Sequence, residues 1–370
     1  GLTFFRIGIF LLASAPFISA IFFLFSIIVS SIRKGSDIFS DRWNYAFLLS
    51  SLLMIIIVVI HFKTYKELSL SFYVWDGFKE VLNTLSWKPM SSLIGLFNWL
   101  PLFLCFWGFQ PYLKTSEHRK IASKLFVAGS VPVLISGFGQ YWFEWYGPME
   151  TLNGLIIWYQ RNKAGILTSL FNNQNYAGCW LNIVWPFSLA IFFEKTQNLV
   201  RKGSSLIFVI SISLASFLTT SRNAWGGLLF TVPLVLGPLS FTWIIPLFSL
   251  LAILILLKVF NYFPKNFDVF LDSILPAKFN IFDAFSPSTY TNQSYNRNTI
   301  FLFAISKIIE NPIIGWGSAS FPIFYYLSND VFIAHAHNLI IDKAFSYGLV
   351  VAFITFTNVF LIFINSFKKI

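Results

Sequence analysis

The chain contains the stretch Asn311-Pro312-Ile313-Ile314-Gly315-Trp316-Gly317 and, further on, His335-Ala336-His337-Asn338. The first stretch and both histidines lie in a long polar segment that spans residues 261–337. Long apolar runs stand on both sides of this segment. Runs of that length predict membrane-spanning helices, so the polar segment separates a bundle of such helices from a last spanning helix. We therefore expect the chemistry of the protein to take place in this segment, at the mouth of a helical bundle.

The composition also indicates a membrane protein. Of the 370 residues, 56% are hydrophobic and only 11% are charged, and the mean hydropathy is +0.70. A soluble protein of this size cannot bury that much apolar surface, so lipid must solvate much of it. The fold class that we predict is an all-α integral membrane protein.

The apolar runs predict about nine spanning helices, with one long outward-facing loop before the last of them. The predicted division is therefore a helical bundle over 1–260, an outer loop with short helices over 261–337, and the last helix of the same bundle over 338–370. The predicted spans are Ile7–Ile32, Tyr45–Phe62, Leu93–Leu113, Leu125–Trp145, Tyr176–Phe193, Ser205–Thr219, Ala224–Leu239, Phe241–Phe260 and Leu339–Phe367.

Charge predicts the orientation of these spans. The net charge is +11, and many Lys and Arg residues fall in short connections that lie on one common side of a nine-helix chain. Positive charge in short loops marks the cytoplasmic side, so segment 261–337 would face outward. The basic residues are not interleaved with aromatic residues in a soluble segment, which argues against nucleic-acid binding. Two stretches of mixed aromatic and basic residues, Tyr65–Val81 and Leu155–Leu170, are predicted to be helices in the interface.

Two polar groups stand at the outward ends of predicted helices. Asn172 and Asn175 precede one helix, where Asn side chains can cap free N–H groups or line a site for a lipid headgroup. Ser221 and Arg222 stand between two apolar runs. Arg222 either extends to the lipid headgroups or binds a phosphate group with its planar guanidinium.

Two further groups belong to the polar segment itself. Arg297 begins an amphipathic helical pattern, where its charge opposes the helix dipole, so that it either binds an anionic partner or is a solvated surface residue. His335 and His337 would lie on one face of an extended segment before Asn338. These imidazoles suit either a structural role or general-base chemistry on a hydroxyl. A metal site needs three or four ligands, and too few are close in the sequence, so we expect no metal.

The order and spacing of these groups resemble the O-antigen ligase / O-antigen polymerase family of bacterial envelope proteins, which includes cyanobacterial relatives labelled inorganic-carbon transporters. Members of this family tend to have about twelve spans, so the resemblance implies one further helix before this sequence and two after it. The resemblance covers 172–348, about half of the chain, and four motifs carry it. They are Asn172–Gly178; Ser221-Arg222-Asn223-Ala224-Trp225; Arg297 ahead of Asn311–Gly317 and Ser320-Phe321; and His337-Asn338 followed, after nine residues, by Gly348.

The resemblance implies an inverting, metal-independent glycosyltransferase without a cofactor. It would lie in the bacterial inner (plasma) membrane, with its active site facing the periplasm. The donor would be a glycan on undecaprenyl diphosphate, and the acceptor would be a glycan or lipid hydroxyl. Arg222 and Arg297 would hold the diphosphate, and His337 would accept the proton of the acceptor. We expect the remaining polar residues to bind substrate: Asn172, Asn175, Ser221, His335 and Asn338.

Two other functions remain open at this point. A multi-helix transporter of inorganic carbon or another small anion would also use several helices and cations. Transporters place broken helices and charges near the middle of the membrane, whereas the polar residues here cluster at the predicted outer rim, which favours the enzyme. A flippase-like or scaffold protein without chemistry is the second alternative. Neither ligase nor polymerase is favoured, because acceptor choice depends on the shape of the loops.

Overall fold

The computed structural model describes residues 1–64, 70–75, 82–87, 91–162, 165–194, 198–242 and 297–367, with isolated positions between 244 and 264. The described chain is mostly helical, which confirms the predicted all-α membrane class. Its helices are α1 (Leu2–Leu11), α2 (Pro16–Lys34), α3 (Arg42–Thr64), α4 (Ser92–Phe109), α5 (Ser116–Gly129), α6 (Val131–Phe143), α7 (Gln174–Phe192), α8 (Leu199–Leu218), α9 (Arg222–Leu236), α10 (Arg297–Glu310), α11 (Phe321–Asn329) and α12 (Leu339–Phe367).

Six segments of the described chain are long and apolar enough to cross a membrane. They are Pro16–Arg33, Arg42–Thr64, Ser92–Tyr112, Ser116–Phe143, Leu199–Leu218 and Leu339–Ser366. Helix α3 shows how such a helix meets lipid. Met54 is fully buried, while Leu52 on another face is 55% exposed. An apolar face that stays exposed is stable where lipid, not water, surrounds it.

The first predicted span is not a single helix. Helix α1 ends at Leu11 and α2 begins at Pro16, because proline has no N–H to donate and is tolerated at the first helical position. The two helices contact each other closely, since the Ser19 hydroxyl donates a hydrogen bond of 2.7 Å to the Gly8 carbonyl.

The fourth predicted span begins earlier than expected. Helix α5 starts at Ser116, with Thr115 accepting a hydrogen bond from the His118 N–H, so Lys120 and Lys124 lie on a helix and not in a loop. Helix α6 follows almost directly, and α5 and α6 together form one candidate span.

The two predicted interfacial helices are wrong, because both regions contain β-hairpins. Strands β1 (Leu70–Trp75) and β2 (Leu82–Trp87) pair antiparallel with Leu70 opposite Trp87, and β3 (Met149–Thr151) pairs with β4 (Ile156–Trp158). Aromatic and β-branched residues favour strands in the first hairpin. In the second, Asn153 and Gly154 both adopt positive φ, as tight hairpin turns require.

The chain forms two compact units, each with its own core. Unit 1 comprises residues 1–30 and 109–286, and its core joins Leu181 of α7 to Ile212 of α8. Unit 2 comprises residues 31–108 and 287–370, and its core joins Ile300 of α10 to Phe345 of α12. Most of the predicted span Phe241–Phe260 and nearly all of 261–296 lie outside the described residues. The division into a 1–260 bundle, an outer loop and a last helix remains a prediction about membrane topology.

Candidate functional site

In unit 1, helices α7 and α9 begin next to each other. Asn173 caps α7 by accepting a hydrogen bond of 2.7 Å from the Asn175 N–H, so capping is confirmed for this stretch. The Ser221 hydroxyl, just before α9, donates a hydrogen bond of 2.9 Å to the Asn175 Oδ1. Two predicted site residues are thereby in direct contact.

The same two helices run side by side in the same direction. After the Asn175–Ser221 contact, Gly178 meets Ala224, and Asn182 then meets Gly227. A Cβ at Gly178 would come within 2.8 Å of the Ala224 Cβ, so only a glycine permits this approach. The N-terminal ends of both helices, which carry partial positive charge, therefore lie close together.

Arg222 is the first residue of α9 and is exposed. Its guanidinium adds a full positive charge to the paired N-termini of α7 and α9, and free N–H groups with a cation attract anions. Asn172 lies exposed in the bend that precedes α7, three residues before Asn175. Asn172, Asn175 and Arg222 therefore form an exposed, positively charged polar surface, while Ser221 is buried.

A buried glutamine fixes the loop that leads into this surface. Gln140 of α6 is only 2% exposed, and its Oε1 accepts hydrogen bonds of 2.8 Å from the N–H groups of both Thr168 and Ser169. Its Nε2 donates 2.8 Å to the Arg161 carbonyl. The sequence analysis missed this residue, although a Gln inside an apolar run is a signal because a buried amide needs several partners.

In unit 2, the segment Asn311–Gly317 packs against a break in α12. The break lies at Gly348, which has a φ of 83°. The Trp316 N–H donates 2.8 Å to the Phe345 carbonyl, and the Leu349 N–H donates 2.7 Å to the Pro312 carbonyl. The turn thus supplies partners for backbone groups that the break would leave unsatisfied in an apolar region.

Both glycines of this contact are required by space. A Cβ at Gly348 would overlap the Ile313 carbonyl, and one at Gly315 would come within 2.8 Å of the Gly348 N. The Gly315 carbonyl also lies 3.1 Å from the ring Nε2 of the buried His61. Two of the sequence motifs therefore form a single structural element.

The histidine pair lies directly before α12. The rings of His335 and His337 are 4.4 Å apart and nearly perpendicular, and the His337 N–H donates 3.1 Å to the His335 Nδ1. His337 adopts a φ of 54°, so the predicted extended conformation is wrong at this residue. The rings meet because the backbone turns and not because a strand places them on one face.

Two interactions hold this turn in place. Asn338 caps α12, since its Oδ1 accepts hydrogen bonds of 3.0 and 3.1 Å from the N–H groups of Ile340 and Ile341. The Asp342 carboxylate accepts a hydrogen bond of 3.3 Å from the N–H of Ala336, a residue that is fully buried. Asp342 is therefore a further residue that holds this turn in place.

Arg297 is the first residue of α10, as predicted, and it is exposed. Partial burial lowers the pKa of His337, and the nearby positive charges of His335 and Arg297 lower that pKa further. The positive charge of Arg297 is therefore close enough to His337 to act on its imidazole ring. The neutral imidazole is the favoured form of His337.

No cluster of three or more His, Cys, Asp or Glu side chains with metal-binding geometry occurs in the described part of the chain. The predicted site residues form two groups. Unit 1 contains Asn172, Asn175, Ser221 and Arg222, and unit 2 contains Arg297, His335, His337 and Asn338.

Comparison with known proteins gives the family. Residues 177–356 match the family model described as O-Antigen ligase, a range that contains Arg222, Arg297 and His337 and begins just after Asn175. A comparison with curated proteins found no match. Together with the six candidate spans, the family match indicates a multi-pass membrane protein that transfers glycosyl groups. Over residues 177–356 the chain belongs to the O-antigen ligase/polymerase family, as its motifs predict.

Proposed function

We propose that the protein moves a glycan from undecaprenyl diphosphate to an acceptor hydroxyl on the periplasmic face of the bacterial inner membrane. The transfer inverts the anomeric carbon and uses no metal ion. His337 is the base, Arg297 and Arg222 bind the diphosphate, and the neighbouring polar residues bind donor and acceptor.

The reaction is one displacement. The acceptor oxygen attacks the anomeric carbon and loses its proton to the neutral nitrogen of His337. The bond from that carbon to the diphosphate oxygen breaks, and undecaprenyl diphosphate leaves with the electron pair. Positioned cations stabilise the charge that develops on the leaving group, so Arg297 and Arg222 lower the barrier.

The observation that carries this proposal is the placement of His337 directly before α12, where its ring lies 4.4 Å from that of His335 and where burial and the positive charges of His335 and Arg297 lower its pKa. The lowered pKa keeps His337 neutral, and only a neutral imidazole can accept a proton. A diphosphate bound at Arg297 offsets the positive charge there and thereby raises the pKa of His337. Substrate binding would therefore make His337 a stronger base at the moment when one is needed.

The helix ends provide a second line of support. Arg297 begins α10, His337 precedes α12, and Arg222 begins α9 beside the start of α7. The N–H groups of a first helical turn bind anionic oxygens well, and the helix dipole favours negative charge there. We assign Asn175, Ser221 and Asn172 to donor binding, whereas His335 and Asn338 hold His337 and the acceptor.

The test uses the full chain purified in detergent with a chemically defined undecaprenyl-diphosphate oligosaccharide and a glycan acceptor. Product is measured by mass spectrometry, and its anomeric configuration by NMR. We expect His337→Ala to lower the turnover roughly 10²–10⁴-fold, as loss of a general base does. Arg297→Ala and Arg222→Ala should weaken turnover strongly as well, while His118→Gln and Arg33→Ala serve as folded controls.

Three results would overturn the proposal: full activity of His337→Ala, retention of the donor's anomeric configuration, or dependence on an added metal ion. Uptake of labelled bicarbonate into vesicles that contain the protein, without any glycan product, would instead favour the transporter.

A further inference from the structure

A cavity of about 480 Å³ lies between α5, α7 and α8 in unit 1. The residues of α7 that line the cavity are near the C-terminal end of this helix, whereas the Asn175–Ser221 contact lies at its N-terminal end. Helix α7 has 19 residues. At a rise of 1.5 Å per residue it is about 28 Å long, so cavity and candidate site lie at opposite ends of the helix.

The walls of the cavity expose mostly apolar surface, although three serines and three charged residues also line it. Val127, Ile191 and Phe208 line it from three different helices, together with Lys124, Arg201 and Glu194. Val127 is buried, and Lys124 has an exposed side chain. A cavity with an apolar body and charged groups suits an amphipathic ligand better than a soluble one.

The charged side chains that line the cavity have a net positive charge. Glu194 pairs with Lys120 at 3.0 Å and lies 4.0 Å from Lys124, so its negative charge is already compensated. No carboxylate of the described residues forms an ion pair with Arg201. Arg201 also lies in the first turn of α8, whose N-terminus carries partial positive charge.

We propose that this cavity binds an anionic glycerophospholipid. Arg201 and Lys124 hold the phosphate, and an acyl chain lies along Val127, Ile191 and Phe208. Basic pockets between membrane helices bind anionic headgroups, and the excess charge favours these over zwitterionic ones. The site is separate from the proposed catalytic residues and does not depend on the proposed function.

A lipid that binds only the folded protein stabilises it by RT ln(1 + L/Kd), where L is the free lipid concentration, so the melting temperature rises with the lipid concentration. The purified full chain in a neutral detergent, stripped of lipid, is therefore titrated with phosphatidylglycerol while intrinsic tryptophan fluorescence follows thermal unfolding. Phosphatidylcholine with the same acyl chains and inorganic phosphate are titrated in parallel. We expect phosphatidylglycerol to raise the melting temperature, and the other two to leave it nearly unchanged.

Variants of residues in and beside the cavity show whether phosphatidylglycerol binds there. Arg201→Gln should bind phosphatidylglycerol roughly tenfold more weakly, because one charge-assisted contact is lost. Lys202→Gln is the matched control, since this residue stands next to Arg201 on α8 but does not line the cavity. Ser204→Phe changes no charge and fills the cavity, so it should abolish the shift while the protein still unfolds cooperatively.

Native mass spectrometry counts the bound lipids in each variant. One retained phosphatidylglycerol in the wild type that is lost in Ser204→Phe would support the site. An equal shift with phosphatidylcholine would show that only the acyl chain is recognised, and an equal shift with inorganic phosphate would show a site for a soluble anion. Either result, or an equal loss in Lys202→Gln and Arg201→Gln, would overturn the proposal.

Discussion

The two groups of candidate residues place similar charges by different structural means. In unit 1, two helices begin side by side because Gly178 and Ala224 are small enough to let them touch. In unit 2, the turn Asn311–Gly317 packs against the break at Gly348, and the histidines precede the first half of the broken helix. One arrangement depends on close packing of regular helices, and the other on hydrogen bonds to an irregular backbone.

This difference predicts unequal tolerance to substitution. A helix–helix contact can relax by a small shift of one helix, at a modest cost in packing. A broken helix in an apolar region cannot relax in that way, because each backbone group that loses its partner is left unsatisfied. Unit 2 should therefore respond more strongly than unit 1 to the addition of a single methyl group.

The largest effect is expected for Gly348→Ala. The added Cβ would overlap the Ile313 carbonyl, and the residue must keep a φ of 83°. Overlap and backbone strain together should cost roughly 3–5 kcal/mol of stability, measured by thermal unfolding in detergent. Gly226→Ala in α9 is the matched control, since nothing lies within 4 Å of its Cβ. A mild effect of Gly348→Ala would contradict the pairing of turn and break.

Gly178→Ala should have a smaller effect in unit 1. Its Cβ would lie 2.8 Å from the Ala224 Cβ, and this overpacking should cost about 1–3 kcal/mol. Adding Ala224→Gly restores the space, so the double variant should be more stable than Gly178→Ala alone. Unfolding of all three variants gives the coupling energy of the pair. Strict additivity would show that the two helices do not meet at these residues.

Local signals in the sequence were sufficient for the helix ends. Arg297 begins α10 as predicted, because the apolar period of the following residues is helical. Asn173 caps α7, as the Asn-rich entry to that helix predicts, whereas the cap that Asn338 forms on α12 was not predicted. These features depend on neighbours a few residues apart, which the sequence displays directly.

Other features depend on residues distant in the sequence. The Gly315 carbonyl meets His61, and the turn meets α12 through backbone groups that have no sequence signature. Strand β1 lies in a stretch that was predicted to be a helix, because aromatic and basic residues are common in both interfacial helices and hairpins. The burial of Lys343 in α12 likewise follows from packing and not from its local sequence.

The pH dependence of transfer tests the coupling in unit 2. In the proposed mechanism transfer needs neutral His337, so activity should fall as the pH drops through the pKa of this residue, which lies below its ordinary value of 6.5. Arg297→Gln removes a positive neighbour and raises that pKa, so the loss at acid pH should begin at a higher pH. Arg297→Lys keeps the charge and should keep the acid limb in place, even if its turnover is lower.

The profile of kcat/KM against pH for the three proteins is the measurement. A purely structural role for Arg297 would lower activity equally at every pH in both variants. An acid limb that stays fixed in Arg297→Gln would show that its charge does not act on His337. The same comparison at Arg222 shows whether the unit 1 cation acts on the base or only on the donor.

The smallest effect is expected at Lys343, the buried cation of unit 2. It is 1% exposed, its Nζ lies 3.3 Å from the centre of the Trp99 ring, and no ion pair for it occurs among the described residues. Burial of a charge is costly, and the ring offsets part of that cost. Lys343→Met should therefore leave stability within about 1–2 kcal/mol of the wild type, with a gain more expected than a loss.

A double-variant cycle separates the two contributions. If the ring stabilises the cation, Trp99→Leu should lower the free energy of unfolding more in the wild type than in Lys343→Met, because only the wild type has a charge that the ring can stabilise. Equal costs would show that Trp99 acts only by packing. A loss of transfer in Lys343→Met without a loss of stability would mean that the charge of Lys343 serves the reaction. Unit 2 would then supply a cation from inside its core in addition to Arg297, whereas the cation that we assign to the site in unit 1 is the exposed Arg222.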